Sequence, residues 1–136
     1  MELEELSTQA NALIAQEQYA EAIPFLERVT HLDPNYLEGW INLGVAYGAT
    51  HQYEEALAAY DQVLALDAQN VYAWNGKGYA LAGLKRYEQA LFAFDQALQL
   101  NPKGTAVWSV KAQVLWALGR ESAAEEAERQ ARSLQM

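Results

Sequence analysis

Residues 74–83 read WNGKGYALAG, a stretch that combines a tryptophan, a lysine and three glycines. A phosphate-binding loop of similar composition would follow a strand, precede a helix and place serine or threonine directly after the lysine. Here Gly78 follows Lys77, and positions 77, 78 and 81 continue the helical face that begins at Trp74. The stretch therefore predicts a helix, and it argues against a nucleotide-binding enzyme.

Tryptophan recurs along the chain at a constant step of 34 residues, at Trp40, Trp74 and Trp108. Other identical residues keep the same step: Ala22, Ala56, Ala90 and Ala124; Leu32, Leu66, Leu100 and Leu134; Tyr19, Tyr53 and Tyr87; Gly44 and Gly78. A step of this size is typical of helical repeat proteins and predicts a single domain over the whole chain. The four predicted units span residues 3–36, 37–70, 71–104 and 105–136.

Each unit contains two amphipathic segments separated by a polar turn, which predicts a helical hairpin. In the third unit the second apolar face falls within residues 90–98. Gly78, on the first face, has Gly44, Ala10 and Ala112 as its counterparts in the other units. A position restricted to glycine or alanine at a helix contact predicts close approach of two helices.

The composition is that of a globular helical protein, with 136 residues, 51% apolar and 20% charged. The absence of cysteine excludes disulfides, thiolate nucleophiles and cysteine-ligated zinc. The N-terminal residues contain no basic segment that leads into an apolar run, so we expect no signal peptide, no direct membrane insertion and a cytoplasmic protein.

The chain is acidic, with nine basic and 18 acidic residues and a net charge of −9. This charge repels phosphate backbones and anionic lipid surfaces, so nucleic acid is not an expected partner. The charge is also uneven, because residues 1–70 hold 12 acids and one base, whereas residues 71–136 hold six acids and eight bases. The two halves therefore carry net charges of −11 and +2.

The spacing of residue types that recur between the units carries a family resemblance. The second unit has Trp40, Leu43, Gly44, Tyr47, Ala56, Tyr60 and Val63, and the third has Trp74, Gly78, Leu81, Ala90, Phe94, Ala97 and Pro102. This pattern resembles the tetratricopeptide repeat. The resemblance implies an all-α, right-handed solenoid of four helix-turn-helix units with about eight antiparallel helices.

Two departures from the pattern predict local differences. Pro24 falls inside the second helix of the first unit, where we expect a late helix start or a kink. Glu121 and Glu128 replace aromatic residues of the earlier units, and the last helix, residues 122–136, is strongly polar. We expect that helix to cap the solenoid, because a terminal unit has no following neighbour to cover it.

The resemblance implies that the first helix of each unit lines a concave groove that binds a partner. The candidate groove residues are Glu38, Ile41, Asn42, Val45, Tyr72, Asn75, Tyr79, Ser109, Gln113 and Trp116, with Glu4, Ser7, Thr8, Asn11, Gly76 and Val110 completing the surface. We expect Tyr79 and Trp116 to contact the partner, and Asn42 and Asn75 to bond a peptide backbone. Small residues are expected to leave room for inserted side chains: Gly48, Ala49, Ala82 and Gly83.

The expected function is that of a protein-interaction scaffold that binds an extended or helical peptide of apolar or mildly basic character. Some family members bind chaperone C-terminal carboxylates through a set of cations and asparagines. The matching positions here are Ser7, Asn11, Asn42, Tyr72 and Gly76. Since none is a cation, we do not expect that ligand.

An alternative reading is a structural element that self-assembles through end-to-end or groove contacts, because the two halves differ in charge. We favour a monomer with at most weak self-association, since exposed charges are screened beyond about 8 Å at physiological salt.

No residue pattern predicts catalysis. His31 lies near a helix end and His51 in a turn, and neither has metal-binding or acid–base neighbours at a suitable spacing. We therefore expect no catalytic residue, no metal and no cofactor.

Overall fold

The computed structural model describes residues 2–136, and that part of the chain contains eight α-helices and no strand. The helices are α1 (Glu2–Ala15), α2 (Tyr19–Leu32), α3 (Leu37–Ala49), α4 (Tyr53–Leu66), α5 (Val71–Gly83), α6 (Tyr87–Leu100), α7 (Thr105–Ala117) and α8 (Glu121–Ser133). Each helix packs on its neighbours in the chain, and α3 also packs on α5. The predicted all-α solenoid is confirmed.

The first helix of every hairpin ends in the same type of turn. Residues with positive φ occupy four equivalent positions, 34 residues apart: Glu17, His51, Lys85 and Gly119. In the third turn the Arg86 N–H donates to the carbonyl of Leu81 at 2.8 Å, and equivalent bonds close the other three. This pattern is a Schellman motif, whose left-handed residue is usually glycine. Three of the four turns therefore hold a residue type that strains the backbone.

The repeated tryptophans fix the turns between hairpins. The Nε1 atoms of Trp40, Trp74 and Trp108 donate to the backbone carbonyl six residues earlier, at 2.7, 2.9 and 3.1 Å. The side chain that opens each of these turns also bonds the backbone, as Asp33 Oδ1 does by accepting from the Asn35 N–H at 3.1 Å. All three indoles are half-buried and pack against the core.

Of the two outcomes expected at Pro24, the late helix start is wrong, and the kink stays a prediction. Helix α2 begins at Tyr19, which is equivalent to the first residues of α4 and α6, and it continues through Pro24. Pro24 lacks the N–H that would bond the carbonyl of Ala20. Both residues are exposed, so water can bond that carbonyl.

The last helix presents small residues to the core and polar residues to solvent. Ala124, Ala127 and Ala131 are buried, whereas most of the charged residues of α8 are exposed. The predicted polar outer face is confirmed. The longest helices have 14 residues, fewer than the roughly 20 that a membrane-crossing helix needs. In residues 2–136, no helix is long and apolar enough to cross a membrane.

Candidate functional site

A hollow of about 570 Å³ opens between the first helices α3, α5 and α7. Its wall combines small residues with larger apolar side chains. The small residues are Gly48, Ala49, Ala56, Gly76, Ala80, Ala82, Gly83 and Ala117, and the aliphatic ones are Val45, Val110 and Val114. We call this space the central hollow. A volume of this size is within the range of binding pockets.

Four tyrosines complete the wall of the central hollow. Tyr79 belongs to α5, whereas Tyr53, Tyr60 and Tyr87 reach the hollow from the second helices α4 and α6. Tyr79 is 45% exposed, and its ring packs edge-on against Phe94 with 5.8 Å between the ring centroids. Tyr79 therefore presents a large aromatic surface whose position is fixed by packing against Phe94.

The tyrosine hydroxyls add a few polar groups to this wall. The Tyr53 hydroxyl lies 2.6 Å from His51 Nδ1. Burial raises the pKa of Tyr60 to about 12 and also raises the pKa of Tyr79 above its ordinary value, so both rings are neutral at pH 7. No charged side chain in residues 2–136 lines the central hollow.

Aromatic rings occupy the space beside each glycine of the WNGKGYALAG stretch. An ideal Cβ on Gly78 would lie 2.5 Å from Phe94 Cε1, which confirms the predicted close approach at that position. A Cβ on Gly76 would lie 2.2 Å from Tyr60 Cζ. These glycines are required by packing, because real side chains essentially never approach this closely.

Gly83 lines the central hollow, but Tyr53 occupies the position that a side chain on Gly83 would take. An ideal Cβ on Gly83 would lie 2.7 Å from the Tyr53 ring. At Gly48, by contrast, no atom of the described residues lies within 4 Å of an added Cβ, apart from its chain neighbours and the backbone of its own helix. Gly48 thus borders open space in the central hollow.

The residues predicted to line the groove divide between two spaces. Val45, Gly76, Tyr79, Val110 and Gln113 line the central hollow, whereas Ser109 and Trp116 line a second hollow of about 300 Å³ between α7 and α8. Gln113 borders both spaces. Trp116 is 42% exposed and lies beside the last helix, away from Tyr79.

The remaining predicted residues lie outside both hollows. Asn42 Nδ2 donates to Asn11 Oδ1 at 3.1 Å, and Asn75 Oδ1 is buried without a hydrogen-bond partner among residues 2–136. Ile41 is half-buried. Glu38 and Tyr72 are exposed at one end of α3 and α5. The structure therefore does not gather the two asparagines and the exposed aromatics into one pocket.

Sequence reasoning missed the tyrosines that reach the central hollow from α4 and α6. A signal for two of them, Tyr53 and Tyr87, is present in the 34-residue step that they share with Tyr19, whereas Tyr60 is not part of that step. The family resemblance implied partner contacts from first helices alone. The structure shows that second helices contribute much of the aromatic wall.

Cations outside the central hollow form pairs that repeat between neighbouring hairpins. Lys77 Nζ lies 2.8 Å from Asp61, and the equivalent Lys111 lies 2.6 Å from Asp95. Arg86 likewise pairs with Glu54, and Arg120 with Glu88. In the part of the chain that the structure describes, no group of three histidine, aspartate or glutamate side chains is placed to hold a metal ion.

Solved structures with the same fold include several MamA proteins. The MamA 41-end structure from Desulfovibrio magneticus RS-1 has a TM-score of 0.93 at 22% identity, covering 98% of this chain and 75% of that chain. A MamA AMB-1 structure has a TM-score of 0.84 at 24% identity, covering 93% and 75%. At these identities the likeness establishes the fold alone. A comparison with curated proteins finds no match.

Two sequence models of the tetratricopeptide repeat match the chain, one over residues 13–79 and the other over residues 71–103. The matched region contains the Trp40 and Trp74 units and their glycines. Tetratricopeptide repeats bind protein partners and are generally not enzymes. Sequence models and helical architecture agree, and the chain belongs to the tetratricopeptide repeat family.

Proposed function

We propose that this protein is an interaction scaffold that binds one segment of a partner protein in the groove lined by α3, α5 and α7. The observation that carries the proposal is the central hollow, an open apolar space between three successive first helices with Tyr79 exposed in its wall. Aromatic side chains such as tyrosine often carry a large share of the binding energy at protein interfaces. The role is non-enzymatic, and the cytoplasmic location expected from the sequence stays a prediction.

The chemistry of the groove favours an apolar segment with some positive charge. Among the described residues, none in the wall of the central hollow carries a charged side chain, so a charged group buried there would lack a counter-ion. The charged residues among the candidate groove positions are Glu4 and Glu38, both acidic. The same two facts disfavour a C-terminal carboxylate and nucleic acid as ligands.

End-to-end assembly is the weaker alternative, because the ends do not reproduce the charge pairs of the interior. Asp61 and Asp95 pair with lysines of the following hairpin. The equivalent residue in α8 is Arg129, and the equivalent of those lysines in α1 is Gln9. A stack of α8 on α1 of a second copy therefore lacks this pair, and we propose a monomer with weak self-association at most.

A substitution at Gly48 tests the proposed groove without disturbing its wall. Gly48→Leu places a side chain in the central hollow where no atom obstructs it, whereas Gly48→Ala leaves most of the hollow open. Peptides of about 16 residues, long enough for four helical turns, are displayed on phage and selected on the wild-type protein. We call those that bind wild type and Gly48→Ala but lose binding to Gly48→Leu the hollow-dependent peptides.

Recovery of hollow-dependent peptides supports the proposal. Thermal unfolding of both variants provides the control, since neither should be less stable than wild type. If every selected peptide binds Gly48→Leu as well as wild type, the groove is not the binding site.

A further inference from the structure

An acidic and an aromatic side chain lie at equivalent positions on one edge of the groove. Glu38 is the second residue of α3, and Tyr72 is the second residue of α5. Glu38 is exposed, and Tyr72, 74% exposed, is the most exposed aromatic side chain in residues 2–136. We call this pair the groove edge.

The groove edge has the chemistry of a cation site. The Tyr36 hydroxyl donates to Glu38 Oε2 at 3.2 Å, which orients the carboxylate and leaves Oε1 as an acceptor. Within the described residues, no lysine or arginine pairs with Glu38. Helices α3 and α5 pack on each other, and axes of packed helices are about 8–10 Å apart. A carboxylate and an aromatic face at that separation can both contact one guanidinium or ammonium group.

The groove edge and the central hollow have a fixed separation. Val45 follows Glu38 by seven residues on α3, and Tyr79 follows Tyr72 by seven residues on α5. Seven residues are nearly two full turns, so each pair lies on one helix face with about 10 Å between its members. A partner that lies along these helices meets the hollow and the edge about two helical turns apart.

The polar groups of the groove suit a helical partner better than an extended one. An extended peptide needs hydrogen-bond partners for its backbone, whereas a helix bonds its own. The amide of Asn42 already bonds Asn11, and the Asn75 carbonyl oxygen is buried. Gln113 is the one side-chain amide in the wall of the central hollow as the structure describes it.

We propose that the groove binds an amphipathic helix of a partner protein, which inserts a large uncharged side chain into the central hollow and places an arginine or lysine at Glu38 and Tyr72. The two groups of the partner helix lie about seven residues apart, which is two turns. This inference rests on the proposed function, because it specifies what the groove binds.

The hollow-dependent peptides are the probe for this inference. Their sequences are expected to contain apolar residues at a spacing of three and four, and a basic residue about seven positions from the largest of them. Glu38→Gln and Tyr72→Ala are each expected to weaken their binding about three- to tenfold, measured by fluorescence anisotropy with synthetic peptides. Glu125→Gln, which neutralises an exposed acid on α8, is the matched control and leaves binding unchanged.

A proline in the middle of a hollow-dependent peptide is expected to abolish binding, because it interrupts the helix. Three results would overturn the inference and leave the proposed function intact. The hollow-dependent peptides could lack a basic residue, they could tolerate the proline, or they could bind Glu38→Gln and Tyr72→Ala as tightly as wild type. If no hollow-dependent peptide is recovered, both the inference and the proposed function fail.

Discussion

Tyr60 lies where a side chain on Gly76 would have to go, with its Cζ 2.2 Å from an ideal Cβ at that glycine. The same ring would meet a Cβ on Gly44 at 2.7 Å. Tyr60 is 6% exposed, and its ring also borders the central hollow. One aromatic side chain of α4 thus joins the first helix of its own hairpin to the first helix of the next.

Gly76→Ala is expected to lower the free energy of unfolding by about 1–3 kcal/mol, because the Tyr60 ring must shift out of its packed position to make room for the added methyl group. Urea denaturation followed by circular dichroism measures the change. Gly48→Ala is the matched control, since it adds the same methyl group to a helix where nothing lies within 4 Å. The control should gain about 0.5–1 kcal/mol from helix propensity. A Gly76→Ala variant as stable as Gly48→Ala would contradict the packing described for Tyr60.

At the turn that ends α5, a substitution is expected to stabilise the protein. Lys85 has a φ of 62°, whereas the equivalent Gly119 has a φ of 74°. Lys85→Gly should raise the free energy of unfolding by about 0.5–1 kcal/mol, because glycine adopts this conformation without strain.

Two substitutions serve as controls for the turn. Lys85→Ala should leave stability nearly unchanged, since alanine is strained in the same way as lysine. Gly119→Ala should destabilise the protein by about 1 kcal/mol. If Lys85→Ala stabilises the protein as much as Lys85→Gly does, the lysine charge, and not the backbone conformation, decides the effect.

The helical architecture can be predicted from the sequence because the residues that specify it recur in every unit. The 34-residue step of the tryptophans places every unit, and the restriction to glycine or alanine at Gly78 predicts the contact that Phe94 makes. Such positions are fixed by packing between neighbouring elements, which imposes the same requirement in each unit.

The central hollow is harder to predict from the sequence, because its shape depends on how side chains of different units meet in space. Gly83 is small, but Tyr53 from another hairpin occupies the space beside it. Asn42 has the right chemistry to bond a peptide, but it bonds Asn11. The residue type at one position does not show which side chain of a neighbouring unit occupies the space beside it.

Tyr79 is expected to contribute strongly to partner binding. Tyr79→Ala should weaken hollow-dependent peptides by about 1–3 kcal/mol, measured by isothermal titration calorimetry. Tyr79→Phe is the matched control, because it keeps the ring that packs on Phe94 and should retain most of the affinity. Trp116→Ala should have a smaller effect, since Trp116 lines the second hollow beside α8. A larger loss from Trp116→Ala than from Tyr79→Ala would move the main contact to that second hollow.

Burial of Tyr60 predicts a loss of stability at alkaline pH. Burial raises the pKa of Tyr60 from its ordinary value of 10.0 to about 12 in the folded protein. Between those two values the unfolded chain has released the phenolic proton and the folded protein has retained it, so rising pH favours unfolding. The stabilisation from keeping the buried ring neutral is fully present below pH 10 and is lost progressively as the pH rises to 12. The total loss in the free energy of unfolding is about 2–3 kcal/mol.

Urea denaturation of wild type and Tyr60→Phe at a series of pH values isolates this loss, because phenylalanine cannot ionise. Above pH 10 the wild-type free energy of unfolding should fall more steeply than that of Tyr60→Phe, and parallel curves would mean that the ring ionises as readily in the folded protein as in the unfolded chain.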